Sequence, residues 1–275
     1  MRSTVDKSVA VGFFDGVHLG HRRIFERAGA ALTFRNHPLS LLDKARAPRL
    51  IMSAEERIAA IRACGVEKIV MLDFTRELAS LPPGEFIAKY IVELGGSKVF
   101  CGEDWRFGRG GSGDADFLRK AGIEVEVVPY AFCDGERISS SRIRSSLEGG
   151  EVSLANRMLG RRFKVKGSVF SGKGAGRLIG FPTVNIAPEG LELFLPLGVY
   201  EVIAGGKRAI ANYGMAPTMG EHAWKRPVLE VHLPEAPQED ISEVELVEFV
   251  RPERKFASLE DLRRQIAEDF GRIAK

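Results

Sequence analysis

Ser8-Val9-Ala10-Val11-Gly12-Phe13-Phe14-Asp15-Gly16-Val17-His18-Leu19-Gly20-His21 decides the fold class of the first half of the chain. Ser8 to Phe14 is an apolar run of strand length that ends at the turn signal Asp15-Gly16, and His18 to Gly29 then reads as a helix. Where a strand turns into a helix, free backbone N–H groups favour an anion. His18 and His21 are three apart, so they share one helix face. Gly16 in the turn and Gly20 between the histidines let a ligand approach the backbone. Two imidazoles beside a helix start suit a nucleotide: they hold its phosphates and stabilise charge as the α-phosphate is attacked. The same pair also fits a helix cap, a surface pair or a metal site. Asp15 and His37, the nearest further donors, do not make a recognised zinc spacing.

Working outward, strand and helix signals alternate. Ala31 to Phe34 reads as a strand, Ser53 to Cys64 as a helix with capping-box spacing at Ser53 and Glu56, and Lys68 to Phe74 as a strand. Gly84 to Leu94 reads as a helix, Lys98 to Cys101 as a strand, Ala115 to Lys120 as a helix, Ile123 to Pro129 as a strand and Ser140 to Leu147 as a short helix. This alternation predicts an α/β domain with a parallel sheet covered on both faces, its ligands bound at the carboxyl ends of the strands. The pattern changes near residue 150. After a short helix, Val152 to Leu159, strand signals dominate: Phe163 to Phe170, Gly198 to Ile203, Lys207 to Asn212, Val228 to Leu233 and Glu243 to Val250. They predict a small antiparallel β-barrel, closed by an amphipathic helix from Ser258 to Phe270. The expected domains are 1–150 and 151–275.

Bulk composition narrows the function classes. The chain has 275 residues with 44% hydrophobic and 28% charged content, ordinary for globular proteins and enough for two domains. A net charge of +3 does not argue for nucleic acid. Cys64, Cys101 and Cys133 are too sparse for a disulfide framework or a zinc site and read as reduced thiols. No apolar run approaches the ~20 residues that span a bilayer, and the first eight residues lack the core of a signal peptide. The expectation is a cytoplasmic protein without membrane or nucleic-acid partners; nothing in the sequence predicts an oligomer. A second glycine-rich stretch, Gly167 to Arg177, contains Gly172, Gly174 and Gly176, whose backbone N–H groups suit phosphate. It lacks the Walker ending and, taken alone, fits a flexible turn better.

The motifs together resemble the bifunctional riboflavin kinase and FMN adenylyltransferase family, over roughly residues 9 to 270. Phe14 to His21 is similar to the His-x-Gly-His signature of nucleotidyltransferases in its FMN adenylyltransferase form. Thr33-Phe34 with His37-Pro38, Gly102-Glu103-Asp104-Trp105-Arg106-Phe107-Gly108, and Ile138-Ser139-Ser140-Ser141-Arg142-Ile143-Arg144 match further segments of that branch in order. Gly180-Phe181-Pro182-Thr183-Val184-Asn185 resembles the kinase motif, and Leu229-Glu230-Val231-His232-Leu233 its strand with a catalytic glutamate. Ala211-Asn212-Tyr213-Gly214, Pro217-Thr218 and Arg251-Pro252-Glu253 follow the same pattern.

The resemblance implies a Rossmann-like nucleotidyltransferase domain followed by a riboflavin kinase barrel. ATP and magnesium would serve both, with riboflavin, FMN and FAD as ligands. It places the kinase's general base on Glu230 and its magnesium–nucleotide contacts on Thr183 and Asn185. In the first domain, Asp104, Trp105 and Phe107 are suited to orient a flavin, and Ser140 and Arg142 to bind phosphate. Some positions depart from the family. Phe13 stands where Asn is usual, Arg35-Asn36 where Glu-Pro is usual, and Ser141 where Thr is usual; His21 to Thr33 is shortened, and Pro234 to Ser242 differs. Two other readings follow: a kinase whose first domain has degenerated, and a non-enzymatic flavin- or nucleotide-binding regulator.

Overall fold

The computed structural model of the protein describes residues 8–170, 180–190, 195–215, 227–235 and 240–273. The chain divides into two compact units, one ending at Ser140 and the other starting at Ser141.

The first unit runs β1 (Ser8–Val11), α1 (Leu19–Phe25), β2 (Ala30–Phe34), α2 (Pro38–Leu42), α3 (Ala54–Arg62), β3 (Lys68–Leu72), α4 (Arg76–Ser80) and α5 (Pro83–Phe86). It continues with β4 (Lys98–Gly102), α6 (Ala115–Lys120), β5 (Glu124–Val128) and a small hairpin, β6 (Phe132–Cys133) and β7 (Glu136–Arg137). The five long strands are parallel in the order β3-β2-β1-β4-β5. Alternate residues feed two cores: Val9, Val11, Leu32, Val99 and Cys101 on one face, Ala10, Ala31 and Phe100 on the other. A sheet buried on both faces explains why β1 and β2 read as unbroken apolar runs. From β1 the chain builds outward to β2 and β3, then returns to place β4 and β5 on the opposite side. The switch between β1 and β4 therefore opens a crevice at their carboxyl ends.

Helix α3 starts as expected: the Ser53 hydroxyl accepts from Glu56 N and the Glu56 carboxylate from Ser53 N. Other boundaries differ. The helix expected from His18 to Gly29 is only α1, consistent with the shortened crossover, which leaves little chain between β1 and β2. The helix expected over Gly84 to Leu94 is the single turn α5 followed by a π-helical stretch, Ile87–Val92. Hydrophobic spacing alone does not separate α from π winding.

The second unit opens with α7 (Ser140–Glu148, whose first residue closes the first unit) and α8 (Val152–Leu159). Six strands follow: β8 (Phe163–Phe170), β9 (Thr183–Pro188), β10 (Gly198–Ala204), β11 (Lys207–Met215), β12 (Pro227–His232) and β13 (Glu243–Pro252). Helix α9 (Leu259–Ile273) comes last among the described residues. The strands close an antiparallel barrel in the order β10-β11-β12-β9-β8-β13. Val165, Ile186, Tyr200, Val202, Ala211, Leu229, Val231 and Leu246 fill its interior and are almost fully buried. Strand β9 went unrecognised in the sequence because its motif reads as a loop, with Pro182 immediately before it.

Helix α9 lies against the outside of the barrel, where Phe270 and Ile273 meet Val199 and Ile210. A buried ion pair holds it there. Arg251 donates to both oxygens of Asp269, at 2.8 Å from Nη2 and 3.1–3.2 Å from Nε, and Gln265 Nε2 donates to Oδ1 at 2.9 Å. Phe270 also stacks on Phe181, centroids 5.3 Å apart, so the helix braces the segment leading into β9.

Candidate active sites

In the first unit the loop after β1 is strained. Phe14, Gly16 and Val17 all have positive φ, at 60°, 79° and 40°. A β-branched valine there is an outlier, of the kind found where surrounding structure enforces a functional conformation. The enforcing contacts are visible. Thr33 Oγ1 donates to Phe13 O at 3.0 Å, and Ser140 Oγ to Asp15 O at 2.9 Å. The buried Asp15 carboxylate accepts from Ile51 N at 3.1 Å. This loop delivers His18 as the N-cap of α1, its Nδ1 accepting from His21 N at 3.3 Å. The two imidazoles stack 3.6 Å apart with an 18° tilt, and Phe14 meets His21 edge-on. The expected pair is thus one surface beside the β1 end of the crevice. Gly20 has a local use as well: a Cβ there would stand 3.1 Å from His18 Cε1, so the missing side chain makes room for the ring.

Across the switch point, the loop after β4 carries the three residues expected to meet flavin. Asp104 is paired with Arg137 of the hairpin at 2.6 Å, and Arg137 also covers the Tyr130 ring at 3.5 Å. Trp105 is half-buried and stacks on Phe107, centroids 4.6 Å apart. Phe107 itself belongs to the core, 6% exposed, and its ring fills the space that a Cβ on Gly113 would take. Of the two rings, Trp105 alone keeps exposed surface for a ligand. Ser140 and Arg142 lie in the first turn of α7, Arg142 half-buried.

Sequence reasoning missed Arg57. It is fully buried, donates from Nη2 to Phe34 O and Arg35 O at 2.6 and 2.9 Å, and stacks over Phe13 at 4.1 Å. Phe13 also meets His37 edge-on at 4.7 Å. The departure at Phe13 is therefore accommodated by an aromatic seat for a cation that ties the β1 and β2 loop ends together. Burial lowers the Arg57 pKa, and Asp15 opposes that shift. Its one sequence signal, an arginine on an otherwise apolar face of α3, is weak.

In the second unit strand register assembles the site. Glu230 on β12 stands opposite Asn185 on β9 and Asn212 on β11; His232 stands opposite Thr183 and Ile210. Period-two alternation puts all six on the outer wall. Most of this wall faces a cavity of about 480 Å³ roofed by α9 and the segment after β13. Glu230, His232, Asn212, Glu253 and Asp269, with the cations Arg251, Arg254 and Lys255, form its polar lining, and Val199, Ile210, Phe256, Leu262 and Ile266 its apolar one. Asn212 Nδ2 donates to Glu253 Oε1 at 3.1 Å, and a Cβ on Gly214 would overlap that carboxylate. Burial alone pushes the Glu230 carboxyl above its ordinary range. Thr183 and Asn185 flank this row as hard oxygen donors. No group of three or more His, Cys, Asp or Glu that could hold a metal ion occurs among the described residues. Gly172, Gly174, Gly176 and Pro217-Thr218 lie outside the described residues.

His232 was given no role by the sequence. Burial drives its imidazole down to about 4, with Asp269 opposing. A folded-state pKa below the ordinary 6.5 means that the unfolded chain takes the proton first on acidification. The associated stability is whole above pH 6.5 and is lost as pH falls toward 4, at most about 3 kcal/mol. Thermal melts between pH 7 and 4 should show a steeper acid loss in the native protein than in His232→Gln; equal slopes would refute this.

Comparison with known proteins follows the same division. A family model described as FAD synthetase matches residues 1–142, and one described as riboflavin kinase matches residues 159–275. The bifunctional riboflavin kinase/FMN adenylyltransferase of Bacillus subtilis is 36% identical, over 96% of this chain and 90% of its own. Its counterpart in Escherichia coli K12 is 34% identical, over 95% and 90%. Among solved structures, a crystal structure described as a macrolide-efflux protein from Streptococcus pneumoniae superposes with a TM-score of 0.83 at 29% identity, over 98% of this chain and 94% of that one. Among the described residues no helix is long and apolar enough to cross a membrane.

Proposed function

The chain belongs to the bifunctional riboflavin kinase/FMN adenylyltransferase family, and from that premise we propose that it makes FAD from riboflavin in two steps, one in each unit. In the barrel, the terminal hydroxyl of riboflavin attacks the γ-phosphorus of ATP, its proton passes to Glu230, and ADP leaves. In the α/β unit, a phosphate oxygen of FMN attacks the α-phosphorus of a second ATP, and pyrophosphate leaves. His18 and His21 hold the charge that builds on the phosphate oxygens. Neither step needs a covalent enzyme intermediate; positioning carries much of the rate.

The observation that carries this reading is the row Asn185–Glu230–Asn212, of which Glu230 and Asn212 line a cavity with both charged and apolar walls. A flat flavin ring with a polyol chain offers partners to both kinds of lining. A carboxyl raised by burial suits a base, because its pKa moves toward the working pH. Thr183 and Asn185 suit magnesium, which would supply charge neutralisation on the nucleotide phosphates. In the first unit, Trp105 and Asp104 support a flavin seat and Ser140 a phosphate contact. Phe107 contributes by holding Trp105.

Incubating the protein with riboflavin, ATP and magnesium, followed by chromatography, tests the scheme. FMN should appear first and FAD after it, with pyrophosphate released in proportion to FAD. Accumulation of FMN alone, even when FMN and ATP are supplied directly, would leave a kinase with a silent first unit. Tight flavin binding with no turnover of ATP would leave a regulator.

A further inference from the structure

We propose that Arg57 is a positioning residue for FMN adenylylation: clamped to the end of β2, its guanidinium fixes the Phe13 ring and, through the strained turn that follows, sets the imidazoles of His18 and His21. The inference rests on the assignment of that turn to the adenylylation reaction. Arg57 is fully buried, and its Nη2 finds acceptors in Phe34 O and Arg35 O. Its Nε and Nη1 are enclosed with no hydrogen-bond partner among the described residues. A buried cation so sparingly bonded costs stability that a well-packed apolar side chain would not. Tying α3 to β2 therefore does not account for the charge, and its other contacts lie in the turn after β1. The guanidinium covers the Phe13 ring at 4.1 Å, and Asp15, two residues further on, opposes the loss of its proton.

Phe13 is held from two sides, its carbonyl by Thr33 and its ring by Arg57. Phe14 follows with φ at 60°, a conformation that persists only where neighbours enforce it. The turn brings the Phe14 ring over Gly12, where a Cβ would stand 2.8 Å from it, and edge-on against His21 at 5.3 Å. His21 in turn stacks on His18. An unbroken run of contacts thus leads from Arg57 through Phe13 and Phe14 to both histidines. Being enclosed, Arg57 acts on the reaction only through these residues. Coupling, not proximity, is the measure of such a run, and a mutant cycle supplies it.

The test measures FMN adenylylation, as kcat per FMN-binding chain, in Arg57→Met, Phe13→Leu and the double variant. Arg57→Met keeps an unbranched stem but neither the charge nor the planar fork. It should lower kcat about tenfold to a hundredfold, the range for slight misplacement of reacting groups, with KM for ATP and FMN within about threefold of native. Phe13→Leu removes the seat of the cation and should lower kcat to a similar degree. The double variant should lose no more than the worse single one, because both break one contact. Arg57→Lys, which keeps the charge, should recover part of kcat. Riboflavin phosphorylation by the same preparations should stay native. A purely structural Arg57 would reduce the number of FMN-binding chains and leave kcat per chain unchanged. That result, or losses that multiply in the double variant, overturns the proposal; should Arg57→Met not fold, a native kcat in Phe13→Leu overturns it equally. A native protein that binds FMN and ATP yet releases no pyrophosphate overturns instead the adenylylation assignment beneath it.

Discussion

Glu230→Gln is expected to lower FMN formation by about a hundredfold to ten-thousandfold, the range for removal of a general base. Conversion of supplied FMN to FAD should be unchanged. The glutamine keeps the shape and much of the polarity of the side chain but cannot take the proton from the attacking hydroxyl. Burial raises the Glu230 carboxyl, and activity requires its ionised form. The native kinase kcat/KM should therefore fall on acidification, with a midpoint above that of an ordinary glutamate. Stopped assays on riboflavin and on FMN, across pH, separate these effects. Equal loss of both activities in a folded variant would contradict the assignment of one step to each unit.

His21→Ala should do the reverse, lowering FAD formation from FMN by about a hundredfold to a thousandfold, as for loss of one group that stabilises developing charge. Riboflavin phosphorylation should stay at the native rate. The prediction depends on the His18–His21 stack, which sets both rings beside the loop after β1. Pyrophosphate release measured with FMN and ATP reports the first unit, and ADP release measured with riboflavin and ATP reports the second. A His21→Ala protein that adenylylates FMN at the native rate would remove the histidine from the reaction and reduce it to a packing partner of His18 and Phe14.

The first-unit site was the more legible in sequence. Its chemistry is concentrated in one continuous stretch, Gly12 to His21, and the strand–turn–helix that carries it follows from local patterning. The capping box at Ser53 and Glu56 was equally readable because both of its hydrogen bonds are local. Arg57 and its seat on Phe13 were not readable, since nothing in the spacing says that β2 and α3 bring a guanidinium over the β1 loop. Phe107 was expected at the flavin and lies mainly in the core, because an aromatic in a loop motif fits both roles until packing chooses.

By itself, the sequence determined the two architectures, their order and the motifs at strand ends, since these depend on periodicity, turn residues and caps that act within a few positions. Tertiary structure alone decided which distant residues meet. Strand β9 had to form, and its register against β12 to be set, before Asn185 could stand in one row with Glu230 and Asn212. The terminal helix had to dock through Arg251 and Asp269 before the outer wall of the barrel became a cavity. A one-residue slip in β12 would turn Glu230 into the barrel interior. The site depends on pairing registers between distant strands, and cooperative burial of the whole barrel selects those registers.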